Sequence, residues 1–383
     1  MKSIPLRVKK LRERIFKEGL DFALILNPLN QYYYSGFYAL IYSRPILLVI
    51  SHDESNLIVP CLEELHAKED AKVDHLHVYY EHPEKASEGI SPFEALKKII
   101  SKKGWRRVGV EKDSLPLSLF ELLKDAGIVE FKDIAPFIAK ERLIKDEEEL
   151  ELIRQAGKLV SLGVVESLKA IREGLTEVEV DGIGGLALLK YAGENYPGRR
   201  VELFVMSPSG RERSALPHVF SIARKLKKGD IIIHSRQIAL DGYRAECERT
   251  VFLGEPTEKD KEYFKIMLES QRAAIEAVKP GAKCKDVDKA ARNVIVKARL
   301  GDYAIHRTGH GLGLSAHEGP YLRFDAEDTL EAGMVVSIEP GFYIPGVGGF
   351  RHSDTVVVTP QGHEVITQAP SELEECIKSC MPF

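Results

Sequence analysis

The first third of the chain alternates helical patterns with short apolar runs, and this constrains the fold more than any other feature of the sequence. The patterns LRVKKLRERIFKEGL, LEELHAKED, FEALKKIISKKG and LSLFELLKDAG have helical periodicity. Between them lie the strand-like segments FALIL, PILLVI, NLIVP, HLHVYY and RVGVE. Such alternation is typical of layered α/β domains. We predict an N-terminal α/β domain with a mixed sheet over residues 1–140.

A second domain is predicted over residues 141–383, because a chain of 383 residues exceeds one ordinary core. A charged segment opens a long amphipathic helix at about Asp146. Three more helices are expected between strands of antiparallel character. With the helix at Asp146, the four predicted helices span 146–172, 176–194, 257–279 and 284–299. The stretches from Ala170 and Ala277 share a helix end, a glycine turn and a new helix. This echo predicts two related halves with a site at their junction.

Composition and charge exclude several classes of protein. Hydrophobic content of 44% with 29% charged residues is typical of a soluble globular chain. A net charge of −4 without a basic stripe argues against a nucleic-acid partner. The charged N-terminus is not a signal peptide, and the longest apolar runs are of strand length, so no membrane partner is expected. Five cysteines without zinc-type spacing predict free thiols and a cytoplasmic location.

Histidines mark one candidate site. The segment HRTGHGLGLSAHEGP carries His306, His310 and His317 at intervals of four and seven residues. Such density indicates a metal, proton transfer or both. His218, in SALPHVFS, is flanked by apolar residues and fits either a core histidine or a functional one.

Three carboxylates are candidates for the same site. Alternation in the strand DGYRAECERT places Glu246 and Glu248 on one face. Two carboxylates on one face repel each other unless a cation or a proton lies between them; otherwise the face is a solvated one with salt bridges. Glu339 ends the apolar strand of GMVVSIEPGFY, and a carboxylate at that place is either ion-paired or functional.

The order of these motifs resembles the pita-bread-fold family, which includes Xaa-Pro aminopeptidases and dipeptidases, methionine aminopeptidases and creatinase. The resemblance rests on LPH, GD…GY…RT, HRTGHGLGL…HEGP, GMVVSIEPGFY and GG…R…DTVVVT. FALILNPLNQYYYSGF and RLIKDEEELELIRQAG are similar to the N-terminal domain and connecting helix of the prolidase/creatinase branch. The resemblance implies a creatinase-like α/β domain, then a pita-bread domain of antiparallel sheet covered by helices, and a homodimer.

The resemblance also implies two divalent metals held by two Asp, one His and two Glu, and this chain departs from that set. The family positions fall, in order, on Ser235, Glu246, His310, Glu339 and Ser353. A neutral serine cannot supply the charge of a bridging carboxylate. We predict no dinuclear centre, and either no cofactor or one weakly held Mn, Co or Zn ion. Its ligands would be Glu246, His310 and Glu339, with His234, beside Ser235, as a further candidate.

Catalytic roles follow from the same resemblance. His306 and His317 match positions that contact substrate and move protons, and His218 matches the general acid/base histidine of creatinase. Glu248 and Glu339 match the carboxylates that hold the guanidinium of creatine in that enzyme. A pocket of three carboxylates requires positive charge, from a guanidinium, an amine terminus or one metal ion.

Three functions remain open. The leading hypothesis is a C–N hydrolase of the Xaa-Pro type that acts on short peptides through a reduced, single-ion site. The second is a metal-independent, creatinase-type hydrolase of a small guanidino or amide substrate. The third is a catalytically silent peptide-binding module, which predicts loss of the proton-transfer histidines; His218, His306 and His317 are all present. Peptidase chemistry leads because it is the more common use of the fold.

Overall fold

Contacts within the chain separate two units, Met1–Glu141 and Arg142–Phe383. The computed structural model describes residues 2–41 and 43–379, so Cys380, one of the predicted free thiols, lies outside them. The other four cysteines are free. No described helix is both long and apolar enough to cross a membrane.

The first unit contains a six-stranded mixed sheet in the order β4-β3-β2-β1-β5-β6. Its strands are β1 Phe22–Ile25, β2 Leu47–Ser51, β3 Ser55–Pro60, β4 His75–Tyr79, β5 Arg107–Val110 and β6 Glu130–Asp133. The helices that begin in it are α1 Ile4–Lys17, α2 Pro28–Ser35, α3 Glu64–Asp70, α4 Pro92–Lys103, α5 Leu117–Asp125 and α6 Ala135–Leu143. The predicted mixed sheet is confirmed, since β1 pairs antiparallel with β2 and parallel with β5.

The sequence patterns did not predict α2, β6 and α6. Helix α2 carries three consecutive tyrosines, which have no amphipathic period. It forms because the Asn27 side chain accepts a hydrogen bond from the backbone N–H of Leu29, Pro28 starts the first turn, and Gly36 ends the helix with φ 73°. Local capping therefore replaces periodicity as the cause of this helix.

The second unit contains a nine-stranded sheet whose main path runs β11-β10-β12-β15-β9-β8-β7, with a separate two-stranded sheet of β13 and β14. Its helices are α7 Glu147–Ala170, α8 Glu177–Asn195, α9 Arg211–Ser214, α10 Glu258–Ala277 and α11 Cys284–Lys297. Its strands are β7 Val201–Met206, β8 Ile231–Leu240, β9 Tyr243–Leu253, β10 Gly309–Gly311, β11 Glu318–Leu322, β12 Val335–Ile338, β13 Gly341–Ile344, β14 Gly348–Arg351, β15 Ser353–Thr359, β16 Gly362–Val365 and β17 Ile377–Lys378. Strand β16 pairs with β15, and β17 pairs in parallel with β9.

The four long helices of this unit form where their patterns predict them. Asp146 and Thr176 cap α7 and α8 with reciprocal hydrogen bonds to a glutamate three residues on. Each of the helix pairs α7/α8 and α10/α11 turns at a glycine with positive φ, Gly174 at 88° and Gly281 at 84°. The echo in the sequence thus corresponds to two helix pairs, with α7 packed on β8 and β9 and α10 against β12 and β14.

Candidate active site

Five adjacent strands of the second unit carry the predicted ligand positions. In spatial order β10, β12, β15, β9 and β8 are neighbours. They hold His310, Glu339 just past the end of β12, Ser353, the Glu246/Glu248 face and Ser235. Two cavities open here, with volumes of about 570 and 460 Å³. Together they form what we call the cleft, and the residues that line both are His218, His317, Glu339 and Arg351.

His310 and Glu339 form the first part of the cleft. The His310 Nε2 and Glu339 Oε1 atoms lie 3.3 Å apart, and His310 Nδ1 donates to the Gly311 carbonyl at 3.0 Å. Burial lowers the pKa of His310, but Glu339 and Glu246 outweigh that effect and raise it to about 9. Burial raises the pKa of Glu339, yet His310 prevails and holds it at about 2. The two groups form a charged pair near neutral pH.

Glu246 is held by neutral donors. Its Oε1 accepts hydrogen bonds from Ser337 Oγ at 2.8 Å and Ser353 Oγ at 3.0 Å. Its Oε2 accepts from Gln237 Nε2 at 3.0 Å. Ser353, at the position of the family's bridging glutamate, is therefore a hydrogen-bond donor to a carboxylate, the opposite of a metal ligand's role.

Glu248 is paired with a guanidinium of the same chain, that of Arg351. Arg351 Nη2 donates to Glu248 Oε1 at 2.8 Å, and Arg351 Nε lies 2.5 Å from Glu248 Oε2 at an angle outside hydrogen-bond geometry. Both side chains are at least 97% buried. Burial raises the pKa of Glu248 to about 7 against the attraction of Arg351. This corrects the expectation that Glu248 binds the guanidinium of a substrate. The carboxylate of Glu248 is already paired with Arg351, which lies two residues before Ser353.

A hydrogen-bonded chain leads from Arg351 to His306. Arg351 Nη1 donates to the Tyr343 hydroxyl at 2.8 Å, and that hydroxyl lies 2.9 Å from His306 Nε2. His306 Nδ1 lies 2.7 Å from the carbonyl of Arg307, so Nδ1 carries the proton and Nε2 accepts from Tyr343. Burial lowers the pKa of His306. The sequence reasoning assigned no role to Arg351 or Tyr343, although both lie within the quoted motifs.

The remaining proton-transfer candidates also border the cleft. The His317 ring stacks on His310 with centroids 3.7 Å apart. Burial and the neighbouring His310 lower the pKa of His317 to about 4, so its imidazole is neutral at pH 7. Arg307 Nη2 contacts His317 Nδ1 at 3.2 Å. Since arginine only donates, Nε2 carries the proton of the neutral ring. His218, exposed in the segment between α9 and β8, lines both cavities.

His234 lies elsewhere, which corrects its assignment as a possible ligand. Its Nδ1 is 2.7 Å from Ser207 Oγ and 3.9 Å from Asp181, a residue of α8. Side chains alternate along β8, so Ser235 and Gln237 face the cleft whereas His234 points to the opposite side of the sheet. Burial lowers the pKa of His234 well below its usual value. It is a core histidine.

The side chains of the cleft do not supply the ligands that two divalent ions require. Ser235 and Ser353 have hydroxyls at the two positions where carboxylates would bridge the ions or bind the second one. Arg351 places a fixed positive charge beside Glu248. The residues therefore do not fit a dinuclear centre. Two triads bring ligand atoms within 4.8 Å of one another, namely Glu246/His310/His317 and Glu246/Glu248/Glu339. The buried His310 Nε2 has no aligned hydrogen bond among the described residues. Acidic and histidine groups here could therefore hold one ion.

Comparisons with known proteins identify the family of the chain. Residues 151–360 match Metallopeptidase family M24, and residues 7–144 match the Creatinase/Prolidase N-terminal domain. The chain is 33% identical to the Xaa-Pro dipeptidase of Pyrococcus furiosus, over 96% of this chain and 99% of that protein. It is 34% identical to a putative dipeptidase, YkvY, of Bacillus subtilis, over 96% and 99%. The crystal structure of the prolidase from Pyrococcus horikoshii OT3 superposes with a TM-score of 0.85 at 33% identity, covering 96% and 99%.

Proposed function

This chain belongs to metallopeptidase family M24, and from that membership we propose that it hydrolyses the C–N bond of short Xaa-Pro peptides. The observation that carries the proposal is the retention of all three proton-transfer histidines, His218, His306 and His317, on one cleft beside Glu339. A binding module would have no use for that set. The creatinase-type alternative loses its support, because Arg351 already pairs with Glu248.

Arginines support a substrate with a free carboxylate, as in a dipeptide. Arg292, Arg307 and Arg323 line the larger cavity. Arg292 pairs with Asp288 and Arg323 with Asp325, whereas no ion pair among the described residues involves Arg307. Arg307 lies over the ring of Tyr321 at 4.5 Å, which orients its guanidinium without neutralising it. We assign Arg307 to the substrate carboxylate.

The chain's own residues account for binding and proton movement. His317 presents Nε2–H as a donor for the scissile carbonyl oxygen. We assign to His218, which is exposed at the cleft, the transfer of a proton between water and the leaving amine. Arg351 orients the Tyr343 hydroxyl, which donates to Nε2 of His306. A single Mn, Co or Zn ion at Glu246, His310 and Glu339 would supply an activated water when bound.

A homodimer with a cytoplasmic location completes the proposal. Strand β7 is an edge of the large sheet, and its Leu203 and Phe204 are exposed. Leu186 of α8 is 73% exposed and Phe220 is 76% exposed. Large exposed apolar side chains near an open sheet edge are typical of protein interfaces. Light scattering coupled to size exclusion should give twice the mass of 42.9 kDa.

The experiment that tests the activity is a hydrolysis assay on a panel of Xaa-Pro dipeptides, with longer Xaa-Pro peptides and guanidino acids as comparison arms. Each substrate is assayed with excess chelator, and with Mn, Co or Zn added. We expect turnover of Xaa-Pro dipeptides that falls by about 100-fold or more in His317→Ala. Turnover of guanidino acids alone, or of nothing on the panel, would contradict the proposal.

A further inference from the structure

Two of the three proton-transfer candidates have partners that orient their rings, and His218 does not. His306 bonds to a tyrosine hydroxyl, and the ring of His317 stacks on another histidine. The His218 side chain is exposed, and within the described part of the chain no residue hydrogen-bonds to it. The place of His218 in the cleft therefore depends on the backbone that carries it. We call this segment, residues 207–222, the His218 loop.

The two ends of the His218 loop are joined to each other and to helix α8. The backbone N–H of Ser207 donates to Ser221 Oγ at 2.7 Å. Ser207 Oγ donates to the buried Asp181 of α8 at 2.5 Å. A loop whose ends meet on a rigid element keeps its tip within a restricted region of space.

Glu177, one turn before Asp181 on α8, binds the loop on both sides of His218. Its side chain is completely buried. Its Oε1 accepts hydrogen bonds from the backbone N–H and the hydroxyl of Ser209, at 2.8 and 2.6 Å. Its Oε2 accepts from the backbone N–H of Ile222 at 2.8 Å. One carboxylate thus fixes a point of the chain before His218 and a point after it.

Arg213 connects the same carboxylate to the backbone beside His218. Its Nε and Nη2 donate to Glu177 at 3.2 and 3.0 Å, and Nη2 also donates to the carbonyl of Phe220 at 2.8 Å. Five donors from the His218 loop therefore converge on Glu177. Charge-assisted bonds of this kind, with a guanidinium that binds both oxygens, fix geometry as well as add stability.

We propose that Glu177 is a positioning residue for His218, and that its carboxylate holds the His218 loop so that the imidazole faces the cleft. The inference rests on the proposed function, in which His218 moves a proton. Glu177 lines neither cavity, so it acts on the reaction through the loop and not through the substrate. It lies in the first turn of α8, where the helix dipole stabilises negative charge.

The first test compares kinetic constants with and without His218. Glu177→Gln leaves one oxygen to accept hydrogen bonds and turns an NH₂ group toward donors that it cannot bond. We expect kcat for an Xaa-Pro dipeptide to fall by about 10- to 100-fold. KM should change by less than about twofold, because Arg307, assigned to the substrate carboxylate, lies outside the loop. In a His218→Ala background, Glu177→Gln should lower kcat no further.

Glu149→Gln is the matched control. Glu149 is also a buried glutamate in the first turn of a helix, α7, and it accepts from the Tyr243 hydroxyl at 2.8 Å. We expect this substitution to reduce stability but to keep kcat within about twofold of the unmodified protein. An equal loss of kcat in Glu149→Gln and Glu177→Gln, or an equal loss from Glu177→Gln with and without His218, would overturn the inference.

Arg213→Met is a milder second variant, for use if Glu177→Gln does not fold. It removes the guanidinium and leaves the backbone N–H groups of Ser209 and Ile222 on Glu177. We expect kcat to fall by about 3- to 10-fold, and only when His218 is present. Unchanged kcat in Arg213→Met would also overturn the inference.

Amide hydrogen exchange of the full chain, followed by mass spectrometry, gives a measurement that does not depend on activity. Peptides within residues 207–222 should exchange about tenfold faster or more in Glu177→Gln, while peptides of β8 and β9 keep their rates. Unchanged exchange in the loop would contradict the inference. Faster exchange in the loop without hydrolysis of any Xaa-Pro peptide would reject the reaction and retain Glu177 as the residue that holds the segment of His218.

Discussion

The two sides of the cleft both bury carboxylates, but they neutralise them differently. On one side, His310 and Glu339 keep the residue types expected of metal ligands and face each other at 3.3 Å. On the other side, Ser235 and Ser353 have hydroxyls at the two positions where carboxylates are expected. Arg351 binds the carboxylate of Glu248 there. On the first side, His310 can lose its proton and bind an ion instead. On the second side, the guanidinium of Arg351 keeps its positive charge at all ordinary pH values.

Strand register explains where the second side keeps a carboxylate. Ser235 and Glu248 are directly opposite one another on β8 and β9. Their side chains face the same cavity, so Glu248 supplies a carboxylate directly across from the hydroxyl of Ser235. That carboxylate lies against Arg351. A carboxylate in the same cavity is therefore no guarantee of a metal-binding geometry.

The largest effect is expected from removing the cation of the second side. Arg351→Met leaves Glu248 buried without its partner and should lower the free energy of unfolding by about 3–5 kcal/mol. Urea unfolding monitored by circular dichroism measures this. The double variant with Glu248→Gln should recover most of the loss. A change below about 1 kcal/mol for Arg351→Met would mean that the pair is not the structural core of this side.

The first side should make stability depend on pH. The pKa of His310 is raised from 6.5 to about 9 in the folded state. Its contribution is complete below pH 6.5 and is lost as the pH rises through about 9, which amounts to about 3 kcal/mol. The unfolding free energy should therefore fall between these pH values more steeply in the unmodified protein than in His310→Gln. Equal slopes would contradict the charged His310–Glu339 pair.

Restoring carboxylates to the second side should make it resemble the expected two-metal centre. We expect fewer than two equivalents of Mn, Co or Zn per chain in the unmodified protein. Ser235→Asp with Ser353→Glu should raise Mn affinity by about tenfold or more, or about 1.4 kcal/mol, because two anionic ligands are added. Calorimetry and elemental analysis measure this. The neutral pair Ser235→Asn with Ser353→Gln is the control; an equal gain there would rule out charge as the cause.

The smallest effect is expected from breaking the series of hydrogen bonds that connects Arg351 through Tyr343 to His306. Tyr343→Phe removes the hydroxyl between Arg351 and His306 and should cost about 1 kcal/mol of stability. The same change should lower kcat with little effect on KM, since it removes the hydrogen bond that Nε2 of His306 accepts. Tyr321→Phe is the control because its ring, not its hydroxyl, contacts Arg307. Equal effects of the two substitutions would remove Tyr343 from the proton pathway.

Much of this molecule followed from local sequence patterns. Helix periodicity and capping residues such as Asp146 and Thr176 predicted the long helices, because their causes lie within one turn of chain. Strand alternation predicted that Glu246 and Glu248 share a face, since side chains repeat every two residues. The same rule, applied to β8, would have excluded His234 from the face that Ser235 occupies.

The sequence by itself determined the two-domain α/β architecture, the departures at Ser235 and Ser353, and the set of candidate side chains. Only the tertiary structure decided how those side chains neutralise one another. Arg351 and Glu248 are 103 residues apart in the chain yet in direct contact, and a pattern of neighbours in sequence cannot encode that distance. The charge balance of a buried site depends on which strands lie side by side, and strand order is a property of the folded sheet.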